Sequence, residues 1–489
     1  MNISLTIKTI KNISYNTVAR MCGFVSLGLA NIILSRNLSS SDYGIFGFAW
    51  IFIGFLNRFN DLGINSAVVQ KSELSERQLY TAFSIKTFLG IGLFAVTCFG
   101  AAPLAPLFFD DKAVVSVLRV LSLNFLINIF AFLPISLLTR ELNYKRLSLA
   151  EIGSVIINSV VAITLALNGF KYWSIVVANL AAPIGSVVIL NFIKRVKIRI
   201  AFDKQAAKGM LNYGLNLFGT SIIVFVIFNL DNFIVGSVKG SVMLGYYAIA
   251  FSWGSMICTV LYGMVLSILF PTFTKIQKDT EVVRSSYLKV LEYISFIGVL
   301  ANVTLFIIAK DFLFVILGHN TEKWFPALSA LRILCFYGII RSILEPLGSV
   351  IMAIGKPQLM LKANVIAAII ELTFIYPALK YFGIEGVAIV VTGAYLIQYV
   401  VYLPFVKEVM KIEYLQIVKN IKPAIISAII VLCFYCYFEY TKIGGTMLFM
   451  VIKILLVSFV YSISYGALTK WAIVKEVKMM TVAARNDRR

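Results

Sequence analysis

The sequence predicts an all-α polytopic membrane protein with fourteen transmembrane helices, arranged as two parallel six-helix lobes plus two C-terminal helices. Three observations carry this. Of the 489 residues, 60% are hydrophobic and 14% charged, and the mean hydropathy is +0.90. Soluble domains are nearer half apolar and a quarter charged. The apolar residues fall in many runs, each near the roughly 20 residues that one helix needs to cross a bilayer. And a polar connector at 31–49 recurs at 232–250.

The first six helices are expected at 17–34, 43–59, 82–104, 114–138, 148–167 and 172–193. The next six are expected at 211–235, 245–270, 290–317, 328–354, 363–380 and 384–405, and the last two at 421–438 and 447–468. These runs are too long for strands, and the alternating ten-residue segments of a membrane barrel are missing. The division follows: an N-lobe over 1–193, a basic cytoplasmic linker over 194–210, a C-lobe over 211–406, and helices thirteen and fourteen with a basic tail over 407–489. The opening MNISLTIKTIKNISYNTVAR lacks the small-residue cleavage site of a secretory signal.

A net charge of +21 suggests nucleic acid at first. Topology explains it better. With the N-terminus in the cytoplasm and sides alternating, thirty Lys and Arg fall on inner segments and eight on outer ones. This is the positive-inside bias, and an even helix count places both termini in the cytoplasm. No nucleic-acid partner is needed. Five of the six cysteines sit inside apolar runs, without metal or disulfide spacing. The single histidine, His319, is expected in a surface loop.

The connectors NIILSRNLSSSDYGIFGFA and NFIVGSVKGSVMLGYYAIA align without gaps and share Asn31/Asn232, Ile33/Ile234, Ser40/Ser241, Gly44/Gly245 and Ala49/Ala250. A second pair, VLRVLSLNFLINIF from Val117 and ALRILCFYGIIRSI from Ala330, lies in the fourth helix of each half. Both pairs respect a six-helix period, which preserves orientation and makes the halves parallel repeats with a site between them near the midplane. Each connector is expected as an outward hairpin, with Gly44 and Gly245 opening the returning helix where two backbones pack closely.

Charged residues inside apolar runs are the candidate functional groups, since a centred Arg costs roughly 2.5–3.5 kcal/mol to insert. Arg20, Arg58 and Lys86 lie toward the cytoplasmic ends of helices one, two and three, where they form a candidate basic pocket; snorkelling to the interface is the alternative. Arg suits phosphate because its planar fork donates two hydrogen bonds at once. Arg341 and Glu345, four apart on one helix face, can neutralise each other; Arg341 is also a candidate for the cavity. Asp61, Asp231, Glu345 and Glu371 are candidates for H⁺ or Na⁺ coupling. Arg119 and its repeat mate Arg332 are expected to snorkel or form a structural pair, and Lys453 to be peripheral. Arg20 and Arg58 align with Ser221 and Thr259, so the basic pocket belongs to the first lobe alone.

No P-loop and no HExxH occur. No catalytic residue, metal or cofactor is expected, and uphill work falls to an ion gradient, the membrane potential or mass action. A membrane polymerase or ligase would carry a large extracytoplasmic loop; the longest here is short, around residues 309–326. A passive scaffold has only the basic tail in its favour.

The stretch NLSSSDYGIFGFAWIFIGFLNRFNDLGINSAVVQ resembles the first hairpin of Wzx-type polysaccharide flippases, of the multidrug/oligosaccharidyl-lipid/polysaccharide exporter superfamily. Tyr43-Gly44, Asp61-Leu62-Gly63 and Gln70 carry the match, with LDNFIVG, LGYYAIA, PTFTKIQKD, and Trp324 followed by PALSALRIL. The likeness runs from about residue 15 to 410 and is nearest the colanic-acid and teichuronic-acid exporter branch. It implies MATE-like lobes around a V-shaped cavity open alternately to each side of the bacterial cytoplasmic membrane. It implies a substrate of undecaprenyl diphosphate bearing an oligosaccharide, in a pathway with a polysaccharide polymerase and a chain-length regulator. ARMCGF resembles the SRxxGF of the related lipid II flippase, which carries Arg20 across as a cavity residue; a second basic residue there falls on Ser26, and Arg58 lies near the family's helix-two basic positions. The competing reading is a cation-coupled multidrug exporter of the same fold.

Overall fold

The computed structural model describes residues 21–70, 74–440 and 446–471, and the regular elements among them are all helical. Helix α1 covers residues 21–37. Then follow α2 (Ser40–Asp61), the short α3 (Ile64–Gln70), α4 (Glu76–Ala95), α5 (Ala113–Arg140), α6 (Tyr144–Leu167) and α7 (Tyr172–Ile193). The rest are α8 (Lys204–Ile276), α9 (Thr280–Asp311), α10 (Leu328–Ala353), α11 (Pro357–Met410), α12 (Tyr414–Tyr440) and α13 (Met447–Leu468). Among the described residues, ten helical stretches are long and apolar enough to cross a membrane. Large apolar side chains such as Phe88, Phe99, Phe192, Phe382 and Phe459 stand exposed. Apolar surface on this scale calls for a hydrocarbon solvent. The chain is a multi-pass membrane protein.

The helices outrun the apolar runs that predict them. The third begins at Glu76, six residues before its apolar run, because Ser75 caps it: the Gln78 amide donates to Ser75 Oγ at 3.3 Å and the Ser75 amide to Gln78 Oε1 at 3.3 Å. Its far end loosens into a π turn (Val96–Ala101) and closes as a 3-10 turn (Ala105–Leu107). Pro103 and Pro106 have no N–H to give the regular ladder there.

The first connector is much shorter than its polar sequence suggests. Only residues 38–39 separate α1 from α2. Ser39 makes a capping box with Asp42: the Ser39 amide donates to Asp42 Oδ2 at 2.8 Å, and the Asp42 amide to Ser39 Oγ at 3.1 Å. At the other end of α2, Leu62 (φ 39°) and Gly63 (φ 65°) turn the chain left-handed. That explains Asp61-Leu62-Gly63 as a helix stop. In the second connector the break is a single residue, Gly240 (φ 76°, ψ −173°), inside α8. Gly240 aligns with Ser39, so both repeats break at one position. α11 breaks likewise at Gly383 (φ 65°, ψ −152°).

The two connectors pack on each other. A Cβ added to Gly44 would lie 2.6 Å from the Ser241 carbonyl carbon and 2.8 Å from its Cα. One added to Gly245 would lie 2.5 Å from the Ser40 carbonyl carbon and 2.9 Å from its Cα. Ser40 aligns with Ser241 and Gly44 with Gly245, so the contact is reciprocal. Ser41 Oγ and Ser241 Oγ hydrogen-bond at 3.0 Å beside it.

Compactness divides the chain into two units, Met1–Ala248 and Ile249–Arg489. The lobes read from the sequence meet instead at 194–210. The later boundary has a cause inside the first unit: the Ser40–Gly245 and Gly44–Ser241 contacts hold the second connector to the first. In that unit Leu34, Leu38, Ala162, Ile175 and Ala178 bury together, joining α1 to α6 and α7. Phe83, Ile129, Phe132 and Leu133 join α4 to α5. In the second unit Val299, Val303, Val431, Val457 and Tyr461 join α9, α12 and α13.

Candidate functional site

Phe48, Phe52, Phe55 and Phe59 are spaced four, three and four apart, which stacks them on one face of α2. They meet the first arm of α8. Phe52 lies 6.2 Å from Phe233, Phe55 6.2 Å from Phe225, and Phe59 4.9 Å from Phe218, ring centre to ring centre. Between the helices is a cavity of about 380 Å³, lined by Phe52, Phe55, Phe108, Phe225 and Phe233, with Asn229 as its polar group. Arg58, in the last turn of α2, is exposed, with its guanidinium carbon 5.2 Å from the Phe225 ring centre. Among the described residues no carboxylate pairs with it. An unneutralised guanidinium therefore stands at one end of an aromatic, apolar groove. The sequence reading singled out Arg58 and missed the groove, although the 4-3-4 phenylalanine spacing signals it.

Arg20 lies outside the described residues. Lys86 is buried and committed: its Nζ donates to the Asn60 carbonyl at 2.5 Å, stands 5.6 Å over the Phe132 ring, and is 4.0 Å from Asp61 Oδ1. A cation on the last carbonyls of a helix satisfies an orphan acceptor and meets the negative end of the dipole. Lys86 thus fixes the end of α2 that carries Arg58. Asp61 is largely exposed at 60%, so this long ion pair adds little.

Asp231 does not line this groove. Asp231 on α8 is buried; its Oδ2 accepts from the Tyr247 hydroxyl at 2.7 Å, and its Oδ1 from the Asn232 amide at 2.7 Å. Because Gly240 lies between Asp231 and Tyr247, this bond ties the two arms of α8 together. Tyr247→Phe removes only the hydroxyl, and a loss of about 1–3 kcal/mol in thermal or denaturant unfolding is expected; an unchanged midpoint would refute the tie.

In the second unit Arg341 Nε donates to Glu345 Oε1 at 2.9 Å, the pair expected from the four-residue spacing, and its Nη1 to the Tyr337 hydroxyl at 3.0 Å. Tyr337 packs edge-on to Tyr395 at 4.8 Å. Glu371 is also buried, on α11. Arg332 donates to the Tyr435 hydroxyl at 2.7 Å and stacks over Phe306, while Arg119 Nε reaches the Cys98 carbonyl at 3.4 Å. His319 is exposed in the turn after α9.

Lys453 is not peripheral. It pairs with Asp311 at 2.6 Å, with side-chain exposures of 17% and 7%. The pair links α13 to α9 across 142 positions of sequence, a separation with no local signature.

Comparison with known proteins bears on the fold and the family. The chain aligns with a lipid II flippase, MurJ, in an inward closed conformation, at a TM-score of 0.72 and 15% identity over 95% of this chain and 100% of that one. It also aligns with an inward-facing multidrug resistance MATE transporter of the MOP superfamily, at a TM-score of 0.66 and 16% identity over 79% of this chain and 94% of that one. The fold is MATE-like. A relative from Escherichia coli strain K12, the lipopolysaccharide biosynthesis protein WzxC, is 26% identical over 436 residues, covering 86% of this chain and 85% of the relative. The family model described as polysaccharide biosynthesis protein matches residues 33–328, more than half of the chain. The chain belongs to the polysaccharide biosynthesis protein family.

Proposed function

We propose that this protein flips an undecaprenyl-diphosphate-linked oligosaccharide from the inner to the outer leaflet of the bacterial cytoplasmic membrane, by alternating access, for surface polysaccharide synthesis. The observation that carries the reading is Arg58 beside the phenylalanine groove. A diphosphate cannot cross hydrocarbon bare, because an unpaired charge there is very costly. A guanidinium replaces its hydration with two parallel hydrogen bonds, and an apolar groove suits the first isoprene units. On the resemblance of ARMCGF alone we assign Arg20 as a second cation for the diphosphate, and Lys86 holds the α2 terminus in place.

Fold and topology support the same reading. Taking the arms on either side of Gly240 and Gly383 as separate spans gives fourteen with α1 and α2: six, six and two. The basic inner segments then put both termini in the cytoplasm. Asp231 and Glu371, being buried, and the half-buried Glu345 are the better candidates for coupling to H⁺ or Na⁺; Asp61 is too exposed. Protein partners are a polysaccharide polymerase and a chain-length regulator acting on the delivered unit. The work is transport rather than catalysis.

Arg58→Ala is expected to cut polymer export about tenfold or more at unchanged membrane levels, the cost of losing a charged hydrogen-bonding partner. Arg58→Lys keeps the charge without the fork and retains part of the activity. Wild-type export from both variants, together with sensitivity to cationic drugs, would favour the multidrug exporter instead.

A further inference from the structure

A second cavity in the first unit has a different chemistry. It measures about 500 Å³, is open on one side, and is lined by α1, α2, α6 and α7. Asn31, Asn158 and Asn179 bring three side-chain amides to it, and Tyr43, Phe46 and Trp50 line it from α2. Phe46 and Trp50 are stacked, 5.6 Å between ring centres and 25° between planes. Trp50 is 43% exposed despite its size. Among the described residues, no lysine, arginine, histidine or carboxylate lines the cavity.

Amides in a membrane helix bundle are costly unless they find partners. Asn179 Nδ2 already donates to the Ile175 carbonyl at 2.9 Å, which leaves its amide oxygen as the acceptor for a ligand. An amide both donates and accepts, and so does each hydroxyl of a sugar. The apolar face of a pyranose matches an aromatic platform such as Phe46–Trp50. An acyl chain would leave the amides unanswered. A charged ligand would find no countercharge. The volume lies within the range of small-ligand pockets.

We propose that this cavity is a recess for an uncharged sugar ring, which stacks on Trp50 and hydrogen-bonds to Asn31, Asn158 and Asn179. The proposal rests on the flippase reading and deepens it: Arg58 and its groove take the lipid diphosphate, and the recess selects oligosaccharides with a neutral residue near the lipid.

The test uses the full chain in nanodiscs and three probes: undecaprenyl diphosphate alone, the same carrier with a neutral hexose disaccharide, and with a disaccharide of uronic acids. Affinities are read by native mass spectrometry. The wild type is expected to hold the neutral glycolipid about tenfold tighter than the bare carrier, the scale of one stacking and two or three hydrogen-bonding contacts. Trp50→Ala and Asn158→Leu bring that ratio close to one while leaving bare-carrier binding unchanged, which also reports an intact fold. Trp50→Phe retains most of the ratio. If Trp50→Ala loses bare-carrier binding too, Asn158→Leu and Trp50→Phe decide. Equal wild-type affinity for bare and neutral carriers overturns the recess and leaves the flippase reading standing. So does a ratio that survives both substitutions. Tighter binding of the uronic carrier overturns the uncharged preference and with it the proposal. A wild type that binds no carrier at all overturns the flippase reading as well.

Discussion

Gly245→Ala is expected to cost about 3 kcal/mol of stability or more, although it adds one methyl group. Overpacking a core usually costs about 1–3 kcal/mol because side chains can give way. Here the obstacle is main chain: the new Cβ meets the carbonyl carbon and Cα of Ser40. Gly44→Ala meets Ser241 in the same way, so a similar loss follows. The double substitution should cost clearly less than the sum, since the first separates the two segments and makes room for the second. Thermal unfolding in detergent, with expression level as a second readout, measures all three. Additive losses would show that the sites are independent and that the reciprocal contact does not govern them. Gly92 and Gly100, with open space around the added Cβ, serve as controls and should tolerate alanine.

The second large effect lies at Asp311 and Lys453. Asp311→Ala leaves the Lys453 ammonium facing an apolar bundle, and a loss of about 3–5 kcal/mol is expected, the usual cost of breaking a buried ion pair from one side. The pair joined with Leu at 311 and Met at 453 recovers most of it, because two apolar residues of similar volume need no compensation. A cycle of single and double variants yields the coupling. Its absence would mean that the 2.6 Å contact carries no net energy and that Lys453 reaches the interface alone.

The two cases mark how far the sequence could be read. The helical class, most helix positions and the Arg341–Glu345 pair were legible, because each rests on a period or a spacing. The glycines of the connectors were also legible as sites of close backbone approach, though what they approach was not. Helix ends were less so: apolar runs stop at the hydrocarbon edge, while caps such as Ser39 with Asp42 and Ser75 with Gln78 set the true termini. Lys86 was read as facing a cavity with Arg20 and Arg58, but its closest acceptor is the backbone carbonyl of Asn60, and no residue type marks a carbonyl. Lys453 was read as peripheral and Asp311 escaped notice for a different reason: 142 positions separate them, and only the fold brings them together. The phenylalanine groove was written in α2 as a 4-3-4 spacing and was lost among 38 phenylalanines.

The crossing of the connectors has a further consequence. In Ser40–Gly245 and Gly44–Ser241 each repeat gives one serine and one glycine and receives the same from the other. Such self-complementarity is the mark of a two-fold homodimer interface, in which one mutation changes both sides at once. Within one chain each half of the contact is encoded separately, so a single substitution changes one half and leaves the residues of the other in place. The seam is matched residue for residue, whereas Arg58 stands opposite Thr259 in the same alignment, so the charge belongs to one side of a symmetric joint.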